Sequence, residues 1–413
     1  MGVTEVGYKA QQLNAMINLK TAEKTLQFGV EKCKSMLICK EGESTLYSDL
    51  MVDSWEVKYQ DSQGDGLKLT EKYQGLTKIG QTKTQKYLGF VISSSGNNMA
   101  NINMMKNKSI GVIRKIFNKL NSLNLQKYYF ECAMILLNAI LRPSILYACD
   151  MYYNLKETEI RHLERIEESY LRKVLNTSKG CPIVQLYLEM GHTPARVEIQ
   201  KTRLLYMQYI LQQSDDSTLK RFFDLQLEMP THGDWASTCL KDLQELGIEN
   251  NLEEIRIMTK YKFTQILRKK SKFRALQYLT NKQGTKGKDI EYLNLEMSEY
   301  LQPYNGVLSI DEKRKLFSFR NKMTDIPSNF PKTKTVEKCW CGKNEDMAHI
   351  YECKMLNTDE KMIPYQKIYC GTISEQVEVF RRMNKSIENR ENKLQQKEPP
   401  CDPNGSAAIC SIG

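Results

Sequence analysis

Apolar residues recur at helical spacing along most of this chain. From about residue 100 onward they return every three or four positions, which is the period of an α-helix that buries one face. The pattern predicts helices over about 101–121, 126–141, 157–176, 217–228, 235–246, 259–280 and 309–322. The second of these is expected to stop at Arg142-Pro143, and shorter helices are expected on either side of Gly191. The fold class is therefore predicted to be mostly α.

Strand-like patterns are confined to the N-terminal part of the chain. After a helical stretch within the first 28 residues, the segments VEKCKSMLIC and KYLGFVISSSG each alternate as a short strand does. Residues 41–81 lie between them, are polar and include the turn signal QGDGLKL, so we expect either a hairpin or a loosely ordered insertion. These patterns predict a small α/β layer ahead of the helices.

Changes in composition indicate where the segments begin and end. The run QGTKGK at 283–288 is typical of a linker, and the apolar content falls after Pro364. We expect an α/β layer over 1–95, two helical segments over 96–213 and 214–330, and a cysteine-rich segment over 331–356. Residues 357–413 are expected to form a frayed helix followed by a disordered, low-order tail.

Composition narrows the compartment and the kind of partner. The 413 residues carry a formal net charge of +11, which favours a polyanionic partner. The N-terminus lacks the basic start and apolar core of a signal peptide, and the most apolar run, AMILLNAILRPSILYA, is too short to cross a membrane. Twelve cysteines without an export signal indicate reduced thiols. We expect a protein of the nucleus or cytoplasm, neither secreted nor bound to a membrane.

The positive charge is concentrated in two stretches that contain no acidic residue. The first runs from Lys72 to Phe130 and includes Lys108, Lys115 and Lys119. Their seven- and four-residue spacing puts them on one face of the helix predicted there. A lysine-lined face of this kind can follow a phosphate backbone, although an ordinary solvated helix face would show the same pattern.

The second acid-free stretch runs from Ile255 to Lys288. We take its basic side chains as candidates for binding phosphate, namely Arg268, Lys269, Lys270 and Arg274. Four aromatic residues are interspersed among the basic residues of this stretch: Tyr261, Phe263, Phe273 and Tyr278. They are candidates for stacking on unpaired bases, or else they belong to the core of the helical segment.

Three cysteines and one histidine fall close together late in the sequence. The stretch CWCGKNEDMAHIYEC places Cys339 and Cys341 one residue apart. His349 and Cys353 are four residues apart, so a helix would present both on one face, and Asn344 is a suitable N-cap for that helix. Three thiolates and one imidazole make the closed tetrahedral set of a structural zinc site. The tight gap between the first two cysteines leaves open the alternative that the cluster is accidental.

Several blocks of the sequence, in order, resemble the reverse transcriptases of LINE-type non-LTR retrotransposons. The blocks are LQFGVEKCKSMLI, KYLGFVISSSGNN, LRPSILYACDMYYN, IRHLERIEESYLRKVLN, LYLEMGHTPARVEIQKTRLLYMQYIL and KRKLFSFRNKM, followed by the cysteine cluster. The likeness covers about residues 8–356. It implies that 1–95 is the end of a palm, 96–213 a thumb that grips the primer–template duplex, 214–330 a connector, and 331–356 a Cys-Cys-His-Cys zinc knuckle.

The same resemblance implies RNA and DNA as partners, structural Zn²⁺ as the cofactor, and no small-molecule substrate for these residues. Two departures from the family pattern matter. Polymerase chemistry needs paired carboxylates that hold metal ions, and Asp215-Asp216 has neither the flanking residues nor the position of the family's catalytic pair. Mg²⁺ is therefore expected only in a full-length parent enzyme. The knuckle has one residue, Trp340, where close relatives usually have two between the first cysteines.

Three functions remain open at this stage. In the first, which the resemblance favours, the chain is the C-terminal part of an RNA-directed DNA polymerase, with surfaces that grip nucleic acid but no catalytic residues. No nucleotide incorporation is expected from the chain alone. Alternatively, it is a non-catalytic nucleic-acid-binding module, or an inactive translated transposon remnant.

Overall fold

The computed structural model describes residues 34–35, 51–61, 67–78, 80–93, 98–281, 304, 306–324, 326, 329, 338–357 and 363–395, apart from 124, 126–127, 153–154 and 231–232. The described part is mostly helical, which confirms the fold class expected from the sequence. Two compact units are present: Met1–Ile110 with Met151–Leu163, and Gly111–Asp150 with Glu164–Gly413. None of the described helices is long and apolar enough to cross a membrane. The helix expected within residues 1–28 and the linker at 283–288 lie outside the described residues.

Among its described residues, the first unit contains six strands arranged in pairs. Strand β1 (Lys34–Ser35) pairs in parallel with β4 (Gly80–Gln81). Strands β2 (Met51–Asp61) and β3 (Leu67–Lys78) form an antiparallel hairpin with a bulge after Ser54. Of the two alternatives expected for residues 41–81, the described residues therefore show the hairpin.

The segment expected to form one strand over 86–96 is instead part of a tight hairpin. Strand β5 (Thr84–Tyr87) pairs antiparallel with β6 (Phe90–Ser93). Both residues of the turn have positive φ, 45° at Leu88 and 87° at Gly89. Positive φ at both central residues belongs to a two-residue turn whose twist matches that of the strands, and glycine adopts it easily. The expectation of a single strand was wrong because leucine is not typical of turns, so no turn was predicted at Leu88.

A buried asparagine ties this hairpin to the helix that follows. Helix α1 runs over Met99–Ser122, and Asn101 near its start is fully buried. The Asn101 Oδ1 atom accepts from the Val91 amide at 3.0 Å, and its Nδ2 donates to the Tyr152 hydroxyl at 2.6 Å. Tyr152 in turn packs against the Phe90 ring, with 5.8 Å between ring centroids. One polar side chain thus satisfies a strand edge and a buried hydroxyl together.

The remaining helices lie mainly in the second unit. They are α2 (Tyr129–Leu136), α3 (Arg142–Ile145), α4 (Glu157–Leu175), α5 (Ile183–Glu189), α6 (Ala195–Leu211), α7 (Thr218–Glu228), α8 (Trp235–Glu245), α9 (Leu252–Ile257), α10 (Lys260–Asn281), α11 (Ile310–Arg320), α12 (Met347–Glu352), α13 (Lys367–Cys370) and α14 (Ile373–Gln395). Six of the seven helices whose bounds periodicity predicted begin and end within two residues of those bounds, the exception being the helix expected over 126–141. Gly191 ends α5 with a φ of 59°, as its position in the sequence indicated.

The helix expected to stop at Arg142-Pro143 continues past the proline. A π-helical turn over Leu137–Leu141 connects α2 to α3, and Pro143 falls in the first turn of α3. A proline inside a regular helix removes one backbone hydrogen bond and clashes with the preceding turn. The wider π turn changes the hydrogen-bond pattern immediately before the proline, so the chain stays helical up to Ile145.

Residues 195–281 form what we call the helical layer, built from α6 to α10. A single apolar cluster holds its helices together, formed by Leu204, Met207, Ile210, Leu211, Phe223, Ala236, Cys239, Leu243, Leu246, Ile255, Phe263 and Leu267. One buried ion pair, between Arg203 and Asp242, lies at the edge of this cluster. The layer is thus stabilised chiefly by apolar burial.

The C-terminal part differs from the low-order tail expected over 357–413. Helix α14 spans 23 residues and buries Val377, Phe380 and Met383. The Phe380 ring contacts Phe319 of α11, with 5.5 Å between centroids. A helix was expected in this tail, but the expectation that it is frayed was wrong because its many charged residues obscured an apolar repeat every three residues. Residues 396–413, where the disordered end of the tail was expected, lie outside the described residues.

Candidate metal centre and basic surfaces

The four residues predicted to bind metal lie together. One donor atom from each of Cys339, Cys341, His349 and Cys353 falls within 4.8 Å of all the others. The two buried sulfurs, of Cys339 and Cys353, are 3.5 Å apart. The sulfur of the exposed Cys341 lies 3.2 Å from the His349 Nε2 atom. The residues therefore form a compact Cys₃His cluster that can hold a metal ion.

A short turn brings the first two cysteines to the cluster. The Cys339 amide donates to the Lys343 carbonyl at 2.8 Å, and the Gly342 amide donates to the Cys339 carbonyl at 2.7 Å. Gly342 has a φ of 86°, a value that residues with a side chain rarely adopt. Lys338 and Asn344 then pair as an isolated antiparallel bridge that closes the loop. This glycine allows the chain to reverse directly after Cys341.

Helix α12 supplies His349, and Cys353 follows directly after its last residue. Its N-cap is Asp346, whose side chain accepts from the His349 amide at 2.7 Å. The sequence favoured Asn344 for this role and was wrong by two residues, because Asn344 is used in the bridge to Lys338. The buried side chains of Ile350 and Tyr351 fix the rotation of the helix, and His349 faces the loop as a result.

The donor set fits a tetrahedral thiophilic ion such as zinc. Bonds of about 2.3 Å to sulfur and about 2.0 Å to nitrogen place two sulfurs about 3.8 Å apart and a sulfur and a nitrogen about 3.5 Å apart. These two separations in the cluster are a few tenths of an ångström shorter, and all pairs lie within 4.8 Å, so a small adjustment of the donors brings them to tetrahedral distances. All four tetrahedral positions would be filled by protein, which leaves none for water.

The two ends of the cluster differ in acidity. Burial raises the pKa of the Cys339 thiol to about 11. A hydrogen bond from the backbone of Lys343 lowers the pKa of the Cys341 thiol, which is exposed to solvent. Metal binding requires the thiolate form, and a bound cation offsets the cost of a buried thiolate. The exposed Cys341 is therefore the thiol most ready to take up an ion.

The C-terminal helix α14 supports this cluster, a role that sequence reasoning missed. We call residues 338–395 the metal segment, since both parts form one packed unit. Glu345 is buried directly before α12 and accepts from Arg390 of α14, at 2.6 Å from Nη2 and 2.8 Å from Nε. Asn357, after the last ligand, donates to the carbonyls of Ile350 and Tyr351 at 3.2 and 3.0 Å.

Further polar contacts from α14 reach the chain that follows α12. The Ser386 hydroxyl donates to the Asn357 Oδ1 atom at 2.7 Å. The Asn389 amide donates to the Leu356 carbonyl at 2.8 Å, and the Lys393 ammonium donates to the Met355 carbonyl at 2.6 Å. The last two bonds satisfy backbone carbonyls of the turn that follows α12. The chain around the metal ligands is thus held by contacts with residues 29 to 45 positions away in sequence.

The lysine residues predicted on α1 are all exposed. Lys108, Lys115 and Lys119 are solvent-accessible, whereas Ile116 and Leu120 on the other side of the helix are buried. Neighbouring basic residues Lys106 and Arg114 are exposed as well. This helix therefore presents positive charge on the side that faces solvent.

The basic residues predicted on α10 fall into two groups. Arg268 and Lys269 are exposed. Lys270 donates to the Gly247 carbonyl at 2.7 Å, and Arg274 forms an ion pair with Glu245 at 3.0 Å. The second pair therefore stabilises the helical layer, while the first pair is directed toward solvent.

The aromatic residues of the same helix divide in a similar way. Phe263 is fully buried in the apolar cluster. Tyr278 lies under the Arg196 guanidinium, 4.1 Å from its ring centroid, and contacts Glu164. Tyr261 and Phe273 are both exposed. Only these two of the four predicted rings are available for stacking on a ligand.

Asp215 and Asp216 lie in the turn between α6 and α7. Both are exposed, and Asp215 is 3.6 Å from the Arg256 guanidinium. Among the described residues, no further carboxylates join them in a cluster that could hold a metal ion. This arrangement agrees with the interpretation of the pair as a polar turn.

Comparisons with protein-family models, with curated proteins and with solved structures found no match for this chain. The functional argument therefore rests on the metal cluster, the basic surfaces and the sequence resemblance.

Proposed function

We propose that this chain binds nucleic acid as the C-terminal region of a LINE-type reverse transcriptase, comprising the end of the palm, the thumb, the connector and a zinc knuckle. The proposal assigns binding of template RNA and primer–template duplex to these residues, and no step of DNA synthesis. The exposed lysine face of α1 carries the proposal. It lies in a stretch of 59 residues without a single acidic side chain, from Lys72 to Phe130. Uniform positive charge of this kind attracts phosphate.

Zinc is the ion we assign to the Cys₃His cluster. The combination of three thiolates and one imidazole, with no open position, is typical of structural zinc sites. Hard cations such as Mg²⁺ prefer oxygen ligands and do not suit this donor set. In this role zinc stabilises the loop and α12, and it performs no chemistry on a substrate.

The lysine residues around the metal cluster support the same function. Four exposed lysine residues accompany the ligands, namely Lys338, Lys343, Lys354 and Lys385. A metal-fixed loop with lysine residues around it presents charge on a rigid support, which reduces the entropy lost on binding. This arrangement suits a knuckle that helps hold RNA or DNA.

The experiment that tests the proposal is a salt titration of binding. The full chain is mixed with a labelled RNA–DNA duplex, and the dissociation constant is measured over a range of KCl concentrations. The triple variant Lys108→Gln/Lys115→Gln/Lys119→Gln is compared with the wild type. We expect the slope of log K against log[salt] to become shallower by about 2 to 3, because each lost phosphate contact contributes about 0.9.

A matched control removes the same charge elsewhere. The variant Lys156→Gln/Lys179→Gln/Lys241→Gln neutralises three exposed lysine residues outside the acid-free stretches and the metal segment. It should leave the slope nearly unchanged. Binding that does not depend on salt, or that both variants weaken equally, would contradict the proposal. Absence of binding together with absence of a cooperative thermal transition would favour an inactive remnant.

A further inference from the structure

Helix α10 presents two exposed aromatic rings on the side opposite its buried face. Tyr261 is 75% exposed and Phe273 is 60% exposed. The buried face of the same helix, which includes Phe263, Leu267 and Ala275, packs into the helical layer. Single exposed rings are common on protein surfaces, and these two are distinguished by the basic side chains that lie between them.

Basic side chains occupy the space between the two rings. Arg268, Lys269 and Lys272 are exposed, and none of them forms an ion pair with a described residue. At about 100° per residue, these three and the two rings fall within an arc of about 140°. No acidic residue occurs anywhere in α10. We call these five residues the stacking face.

The chemistry of the stacking face distinguishes among ligands. A purely apolar face would suit another protein, but guanidinium and ammonium groups placed between the rings suit a polyanion. Duplex nucleic acid keeps the faces of its bases inside the stack, where a side chain on a helix surface does not reach them. Unpaired bases expose both faces and stack on aromatic side chains.

We propose that the stacking face of α10 binds single-stranded nucleic acid, with Tyr261 and Phe273 stacking on unpaired bases and Arg268, Lys269 and Lys272 contacting the phosphates between them. This inference rests on the proposed function and assigns binding of single-stranded nucleic acid to α10. The two rings are twelve residues apart, a distance of about 18 Å along the helix axis. That distance matches about five nucleotides at a stacked spacing of about 3.4 Å.

The test uses the full, zinc-loaded chain and three labelled probes. The probes are an oligodeoxythymidine and an oligouridine of about 20 nucleotides, and a duplex of equal length, a size that covers one site. Fluorescence anisotropy gives the dissociation constants for the wild type, Tyr261→Ala and Phe273→Ala. Each substitution should weaken binding of a single strand about 5- to 100-fold and leave duplex binding within about twofold. Unequal losses for the DNA and RNA probes would identify the preferred strand.

Two further variants serve as controls. Phe222→Ala on α7 removes a ring of similar exposure, 63%, from a helix that, unlike α10, carries the acidic residues Asp224 and Glu228, and it should not change binding. Tyr261→Phe keeps the ring and should keep most of the affinity. A large loss of affinity in this variant would indicate a hydrogen bond from the hydroxyl in place of stacking. Both targeted rings are exposed, so thermal stability should stay close to that of the wild type.

The outcomes separate this inference from the proposed function. If the chain binds strands and duplex in a salt-dependent manner but neither ring matters, the stacking face is wrong and the proposed function stands. If Tyr261→Ala and Phe273→Ala weaken duplex and single-strand binding equally, the inference also fails. If the wild-type chain binds none of the probes, both proposals fail.

Discussion

The helical layer and the metal segment are stabilised in different ways. In the helical layer, an apolar cluster that includes Leu243 and Leu267 excludes water from the centre of five helices. In the metal segment, short helices and a loop converge on the four donor residues, and polar bonds from α14 complete the packing. One region is held by the area it buries, and the other by specific polar and metal-binding groups.

This difference follows from the length of the elements in each region. A short loop such as that at 338–346 cannot bury enough apolar surface to offset the entropy of ordering it, and small domains commonly use a metal for this purpose. Helices of 11 to 22 residues, such as α8 and α10, bury a full stripe each. The two regions should therefore respond differently to substitutions, metal removal and acid.

The largest expected effect comes from removing a metal ligand. Cys353→Ser should reduce the zinc content of the purified chain from about one ion to near zero, because structural sites of this kind are closed and depend on every thiolate. Amide hydrogen exchange should then increase throughout the metal segment and remain unchanged in the helical layer. Metal analysis and exchange mass spectrometry provide the two measurements.

The exposed Cys370 gives a matched control, since it is a thiol of the same segment that does not belong to the cluster. Cys370→Ser should keep both the zinc and the exchange protection. Full zinc content in Cys353→Ser would mean that the cluster does not bind the metal as described.

The next largest effect is expected for the buried ion pair behind the cluster. Arg390→Met leaves the Glu345 carboxylate buried without its partner, which costs about 3–5 kcal/mol in comparable cases. The loss should appear as a lower unfolding temperature and weaker zinc retention in a chelator competition. Arg381→Met, at an exposed position of the same helix, should change neither.

A core substitution in the helical layer sharpens the contrast. Leu267→Ala should cost about 2–5 kcal/mol through lost burial and the cavity it creates. Unlike Arg390→Met, it should leave zinc retention unchanged in the same chelator competition. Equal loss of zinc in both variants would show that the two regions unfold as a single unit.

The smallest effect concerns pH and the histidine directly before the helical layer. His192 is buried, stacks on the Tyr187 ring and lies 3.5 Å from Glu167. Burial and the Arg142 guanidinium lower the pKa of His192. Burial alone would raise the pKa of Glu167, but Arg142 and His192 hold the pKa of this carboxyl below its ordinary value.

The folded chain consequently resists protonation of His192, whereas the unfolded chain takes up a proton near a pKa of about 6.5. The stabilisation by neutral His192 is complete above that pH and is lost as the pH falls below it. Unfolding temperatures between about pH 7.5 and 5.5 should show a shallower decline in His192→Asn than in the wild type. An identical slope for His192→Asn would exclude His192 as the source.

Sequence reasoning located most helices because their signals are local. The apolar stripe of α1 and the stop at Gly191 depend on residues within a few positions of each other. The β5–β6 turn was missed because Leu88 adopts a positive φ that its side chain disfavours, so only the pairing of the strands explains it. The π turn before Pro143 likewise has no signature in composition.

The donor residues of the metal cluster were predictable from spacing, and their support was not. His349 and Cys353 are one helical turn apart, and the sequence shows this directly. Glu345 and Arg390 are 45 residues apart, and neither neighbourhood indicates the other. The division of the α10 basic residues into exposed ones and ones that bind other residues also depends on tertiary contacts, since their partners are Glu245 at the end of α8 and Gly247 in the turn after it.

The docking of α14 has a consequence for how this protein is cut into pieces for expression. A fragment that stops at Asn357 would contain every donor residue of the cluster, and the spacing of the cysteines makes that boundary look natural. It would nevertheless lack the Arg390 guanidinium that neutralises Glu345 and the side chains that satisfy the carbonyls of residues 355–356. Such a fragment is expected to precipitate or to exchange its metal rapidly, whereas one that extends through Gln395 keeps the cluster and its support together.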